Sequence, residues 1–381
     1  MPTIFDYLQA RKEASFEEMP LNRVDMLCLN ELGYIAFEKL LPDSVDLSQP
    51  IQLASLLETY DSSQLAYDFM MTKERVELCQ LIFSSERFKD LTLSHYVSDT
   101  DLEFEKQFAA MLLTLPSIQH QQVIFRGTDD SLIGWKEDFK LTYMREIPAH
   151  RSAIAYLKEI LQEVNGDIVV SGHSKGGNLA LYASSHIDSP LQDRIPLICL
   201  FDSPGLQKEE LATQGYLAIK NKCWRMIPRE SIVGIMLYFD LVPDVVDSQL
   251  AGISQHDVAQ WQVTMDGQFD IGHQQTELSL NLEKTFKEWT DKLSNQELKL
   301  IFDLLFDSLM DNGIYSLNDF SLDSLSRVFQ ALTTLNGLDP QKKQVLNKSL
   351  RLLISSYTSQ LRYPSLPDLP KINFPNFFDR K

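Results

Sequence analysis

The stretch that most constrains this chain is Asp167-Ile168-Val169-Val170-Ser171, followed at once by Gly172-His173-Ser174-Lys175-Gly176. An apolar, β-branched run of that kind reads as a strand buried on both faces of a parallel sheet. The small-residue run from Gly176 to Ser185 reads as a helix. A serine flanked by glycines at such a strand-to-helix turn has the GxSxG nucleophile-elbow pattern, in which bulky neighbours would collide with strand and helix. The pattern predicts the Ser174 hydroxyl at the sheet edge, with the next amide N–H at a helix N-terminus. Ile195 to Phe201 reads as the following buried strand, ending at Asp202-Ser203-Pro204-Gly205. Strand, helix and strand in this order imply a parallel sheet with a right-handed crossover.

The rest of the chain is built around that unit. Residues 3 to about 90 are expected to be mostly helical, with Asn22 to Phe37 the clearest helical stripe and Ser48 to Tyr60 and Glu74 to Phe83 weaker ones. Phe108 to Leu113 and Gln122 to Arg126 read as short strands, and Ala153 to Val164 as an amphipathic helix. After about 277 the character changes. Ser294-Asn295-Gln296-Glu297 is a capping box before a helix striped by Leu298, Ile301, Leu305 and Leu309 and stopped at Asn312-Gly313. A second helix is expected from about Leu322 to Leu335, and a third from Pro340 to about Tyr357. Prolines 364, 367, 370 and 375 exclude a helix or a central strand from the tail. The expected organisation is an α/β domain over 1–280, a helical subdomain over 281–362 and a Pro/Phe-rich tail over 363–381.

Composition narrows the partners. A net charge of −18 argues against nucleic acid and against docking on anionic membranes. No apolar run is long enough for a transmembrane helix, and the first residues lack the apolar core of a secretory signal. Cys28, Cys79, Cys199 and Cys223 are scattered without CxxC spacing and are expected to be reduced. The expected compartment is the cytoplasm. The histidines show no paired ligand spacing, and GxxxxGK[ST] and GxGxxG are absent, so neither a metal nor a nucleotide cofactor is expected.

The segment Ile168 to Ala180, with GHSKGGNLA at its centre, resembles the TGHSLGGALA signature of class 3 lipases. Val123-Ile124-Phe125-Arg126-Gly127-Thr128, with Trp135 and Asp138 after it, resembles their FRGT segment, and His256 with Trp261 resembles their catalytic histidine and its tryptophan. In combination, FDYL…NRVD, GHSKGGN, FDSPG, SIVG and QHD..W resemble a bacterial family of uncharacterised α/β-hydrolases related to those lipases, over roughly residues 3 to 275. The resemblance implies an α/β-hydrolase fold, a mostly parallel sheet with helices on both faces. It also implies a serine esterase or lipase-like activity on a small-molecule or lipid ester.

Ser174 is then the nucleophile, and the base and acid follow it along the chain. Of the three later histidines, His186 lies on the helix after the elbow and should point away. His256 lies in a loop and is the expected base, with His273 in reserve. For the acid, the lipase DxVP pattern falls on Glu230-Ser231-Ile232-Val233, so Glu230 is the first candidate. Asp202 is the alternative, with Asp244 and Asp247 weaker. The oxyanion donors implied are the N–H of Lys175 and the N–H and hydroxyl of Thr128. The Lys175 ammonium belongs either at the substrate entrance or in solvent. The competing readings are a thioesterase or acyltransferase on the same site, and a non-catalytic binding or scaffold module.

Overall fold

A computed structural model describes residues 1–41, 46–59, 72–129, 131–315 and 340–360. Among these residues one sheet of eight strands runs in chain order: β1 (Ile51–Gln52), β2 (Thr92–Asp101), β3 (Lys106–Leu115), β4 (His120–Phe125), β5 (Val169–His173), β6 (Ile198–Phe201), β7 (Cys223–Pro228) and β8 (Asp244–Val246). Neighbours from β1 to β4 pair antiparallel, and those from β4 to β8 pair parallel.

Side-chain alternation along the strands builds two cores. Met111, Leu113, Ile124, Val169, Phe201 and Met226 face one side. There they meet α1 (Ile4–Arg11), α2 (Arg23–Glu31), α3 (Phe37–Leu40) and α4 (Thr72–Phe83). Ala110, Leu112, Val123, Phe125, Val170 and Leu200 face the other. The helices on that side are α6 (Pro148–Glu163), α7 (Lys175–His186) and α9 (Gln214–Ile219), which carry the parallel crossovers with the short α8 (Ser189–Gln192). Period-two alternation of apolar residues on both faces requires cover on both. This is the α/β-hydrolase architecture expected from the sequence.

The N-terminal layer is fixed by a buried ion pair. Arg87 Nη2 lies 2.6 Å from Asp25 Oδ2, and the Tyr7 hydroxyl donates to Asp25 Oδ1. The first residues are also tied to a distant loop. Gln249 Nε2 donates to the Met1 carbonyl, the Val263 N–H to that of Pro2, and Arg11 Nε to that of Met265.

A third apolar cluster lies outside the two sheet faces. It joins α5 (Leu132–Lys140) to α10 (Glu277–Asp291), α11 (Asn295–Asp311) and α12 (Pro340–Gln360). The α11 stripe differs from the expected one. Leu298, Ile301, Phe302 and Phe306 are buried, while Leu305 is 41% exposed. The Phe139 and Phe302 rings stack at 4.5 Å, and that contact sets which face turns inward.

Several expectations need correction. Ser48 to Tyr60 contains β1 and a 3-10 turn over Leu53–Thr59 rather than an α-helix. β2 was not anticipated, because its polar residues and the register shift between Ser94 and Val97 hide the alternation. α5 and α10 were likewise unassigned. The helix expected over 322–335 and the tail over 363–381 lie outside the described residues. Among the described residues no helix is long and apolar enough to cross a membrane.

Candidate active site

Ser174 sits between β5 and α7 with φ 57° and ψ −134°, a left-handed conformation that non-glycine residues adopt at a cost. The surrounding packing enforces it. A Cβ on Gly172 would lie 2.1 Å from the Gly176 carbonyl carbon, and one on Gly176 would lie 2.0 Å from the Phe125 carbonyl oxygen. The elbow therefore closes backbone against backbone. Ser174 is half-buried, and its N–H donates to the Phe201 carbonyl, which fixes the turn to the neighbouring strand.

The histidine and its carboxylate meet at the same sheet edge. His256 Nδ1 lies 2.7 Å from Asp202 Oδ2. Asp202 is completely buried directly after β6, and its other oxygen accepts from the Ser231 hydroxyl at 2.5 Å and the Gly234 N–H at 3.1 Å. A carboxylate can only accept, so Nδ1 carries the hydrogen and the neutral ring keeps its lone pair on Nε2. Glu230, the first candidate for the acid, is not at this histidine. Its carboxylate accepts from the Gly252 N–H and from Gln255 Nε2 and so holds the loop that leads into His256. The SIVG segment, Ser231 to Gly234, instead provides the two donors that clasp Asp202.

Two residues not anticipated complete the arrangement. Buried His173 donates from Nε2 to the His256 carbonyl at 3.0 Å, since a carbonyl cannot donate. Its Nδ1 then accepts from the Tyr34 hydroxyl at 2.8 Å. Burial, reinforced by the neighbouring His256 ring at 4.4 Å, holds the His173 pKa well below its usual range and keeps it neutral. The N-terminal layer thereby supports the histidine loop through Tyr34. Trp261 supports the same loop from below: it is fully buried and donates from Nε1 to the Gln255 carbonyl.

The loop after β4 passes against the serine. A Cβ on Gly127 would lie 3.1 Å from the Ser174 Cβ, so the following Thr128 stands beside the elbow. The Thr128 hydroxyl, expected as an oxyanion donor, is engaged at 2.7 Å with both oxygens of Asp138. Burial raises the Asp138 carboxyl to about 6, although Lys175 and this hydroxyl both act to lower it.

Lys175 is a further correction. It is 1% exposed, neither in solvent nor at an entrance. Its ammonium donates to Glu137 Oε2 at 2.8 Å and to the Gln107 carbonyl at 3.0 Å. Burial opposes the charge, but Glu137 and Asp138 outweigh it and hold the lysine above its ordinary pKa. Glu137, with no exposed surface, also accepts from the N–H groups of Gln107 and Ala149.

The other candidates lie elsewhere. His186 pairs with Glu210 and stacks on Tyr182. Asp244 accepts from Trp224 Nε1. Asp247, Asp270 and His273 bring potential ligand atoms within 4.8 Å of one another, with Arg229 3.7 Å from Asp247. The four cysteines are unpaired.

Residues 82–307, more than half of the chain, match the model of the family described as Mbeg1-like. The chain is also similar to solved structures. These include the M37 lipase (13% identity, TM-score 0.35, covering 62% of this chain and 82% of that one). The Lip2 lipase from Yarrowia lipolytica has 14% identity and a TM-score of 0.34, covering 61% and 80%. A Rhizomucor miehei lipase propeptide complex has 14% identity and a TM-score of 0.31, covering 50% and 70%. No curated protein matches the chain.

Proposed function

We propose that the chain, a member of the Mbeg1-like family with an elbow serine and a carboxylate-backed histidine at one sheet edge, is a serine hydrolase cleaving carboxylic esters through an acyl-enzyme. The observation that carries this reading is the convergence of Ser174, His256 and Asp202 at one sheet edge. In this mechanism His256 Nε2 takes the hydroxyl proton as Ser174 Oγ attacks the ester carbonyl. The negative charge on the tetrahedral oxygen is met by the backbone N–H groups of Lys175 and Thr128, the first of them at the N-terminus of α7. His256 returns the proton to the leaving alcohol, and a water activated by the same nitrogen releases the acid. Asp202 keeps the ring in the required tautomer and stabilises its cation. The resemblance of the FRGT and GHSKGGN segments to class 3 lipases supports esters over peptides. Four unpaired cysteines suit a reducing compartment, in keeping with the cytoplasm.

The test is covalent labelling by a fluorophosphonate, together with turnover of p-nitrophenyl esters of increasing acyl length. Wild-type protein should be labelled and Ser174→Ala should not. Equal labelling of the two would remove the nucleophile assignment.

A further inference from the structure

An apolar cavity of about 390 Å³ lies between α5, the segment 232–238 and the C-terminal helices α10 and α11. Its walls continue from the segments that carry the site. Ile232 and Val233 stand between Ser231 and Gly234, the two residues that clasp Asp202. Ile253 lies three residues before His256, and Trp135 lies on the helix that follows Thr128. The far wall is tied to the same segments. Ser279 Oγ at the start of α10 donates to the Ser231 carbonyl, and the Thr276 N–H donates to that of Arg229. On the other side, Lys136 of α5 pairs with Asp307 of α11 at 2.6 Å.

Most polar groups in the lining are already engaged with the protein, whereas the indole Nε1 of Trp135 is buried without a hydrogen-bond partner. The Tyr238 hydroxyl donates to Asp291, Lys287 pairs with Glu283, and the hydroxyls of Thr142 and Thr290 donate to the carbonyls of Phe139 and Phe286. What remains for a ligand is mainly hydrocarbon surface from residues such as Phe139, Met236, Phe286 and Trp289, with the Trp135 N–H as a donor. Protein interiors hold few voids larger than a water molecule, whereas this volume lies in the range of small-molecule sites.

We propose that this cavity takes the hydrocarbon chain of the ester substrate, so that α10 and α11 set its chain-length selectivity. The proposal rests on the hydrolase reading above. The substrate class that follows is an ester of a medium or long aliphatic acid or alcohol. Each methylene buried there should raise affinity roughly fourfold, following the transfer energy of a CH₂ group.

The test separates the cavity from the chemistry. Ser174→Ala protein is titrated with cis-parinaric acid, a fluorescent long-chain fatty acid, and bound probe is competed with decanoate. Two variants are made in that background and in the active chain: Thr290→Trp, which fills the cavity, and Ile253→Asp, which places a charge at its exposed rim where the fold does not depend on it. Saturable binding, weakened tenfold or more by each variant, is expected. In the active chain the ratio of kcat/KM on p-nitrophenyl decanoate to that on the acetate should fall tenfold or more. If the wild type hydrolyses esters but Ser174→Ala protein binds no probe, or binds it equally well with either substitution, the cavity is not the chain site and the hydrolase reading stands. If the probe binds and the variants weaken it while no ester is turned over, the cavity stands as an aliphatic-chain site and the hydrolase reading fails.

Discussion

Asp202 Oδ2 and His256 Nδ1 lie 2.7 Å apart although 54 residues separate them in the chain. Glu230, nearer to His256 in sequence, spends its carboxylate on the loop backbone. Asp202→Asn should therefore lower kcat by on the order of 10³- to 10⁴-fold, because an amide no longer holds the ring in its Nδ1–H tautomer. Glu230→Gln should cost less than tenfold. Steady-state kinetics on a short p-nitrophenyl ester decide it, and the reverse ranking would return the acid to Glu230.

Lys175 and Glu137 form an ion pair with almost no solvent contact. Lys175→Leu, the residue common at this position in the lipases it resembles, removes one partner and leaves a buried carboxylate. A loss of roughly 3–5 kcal/mol is expected in urea unfolding. Adding Glu137→Gln should recover part of it. A Lys175→Leu variant as stable as the wild type would contradict the pairing.

Asp138 supplies a pH dependence. Its folded carboxyl titrates near 6, above its ordinary 3.8, because burial disfavours the charged form. Between those values the folded chain keeps a proton that the unfolded chain has released. Stability should then fall as pH rises from about 4 to 6, by on the order of 3 kcal/mol from this group. Thr128→Val removes a hydrogen bond that lowers the value, so the titration should move upward. Carboxyl carbon NMR reports it directly, and a midpoint near 4 in the wild type would refute the assignment.

Phe302 and Leu305 lie one turn apart on α11 with opposite burial. Phe302→Ala should cost about 3–5 kcal/mol by opening a void against Phe139 and Trp289. Leu305→Ser should change stability by less than about 0.5 kcal/mol. Thermal unfolding of both variants distinguishes this stripe from one running through Leu305.

The elbow, the buried strands around it and the capped helix at Ser294 were legible because each depends on local chemistry: glycine spacing, β-branched runs, a capping box. His256 was singled out through the resemblance of His256 and Trp261 to the lipase histidine and its tryptophan. The choice between Asp202 and Glu230 was not. Both follow neighbouring parallel strands at the same sheet edge, and only the return of Ser231 and Gly234 onto Asp202 separates them. Lys175 was misplaced for a related reason. Hydropathy sends a lysine outward, and nothing adjacent in sequence announces Glu137, which lies 38 residues earlier and waits on a different element. α5 and α10 were missed because their apolar faces make sense only against each other and α11.

The bonds from Met1, Pro2 and Arg11 to the loop around 249–265 have a consequence for how the molecule is made. The Arg11–Met265 contact spans 254 residues, so α1 leaves the ribosome long before its partner exists. Closing so large a loop is entropically costly and slows folding. The turn at Ser174 takes its backbone contacts from Phe125 of β4 and Phe201 of β6, which are made well before residue 256. His256 and its support arrive only with the far end of the same long closure. Under the proposed mechanism, a chain arrested before that point would hold the serine turn without its histidine, and ester turnover is expected only once the sheet and its N-terminal cover are joined.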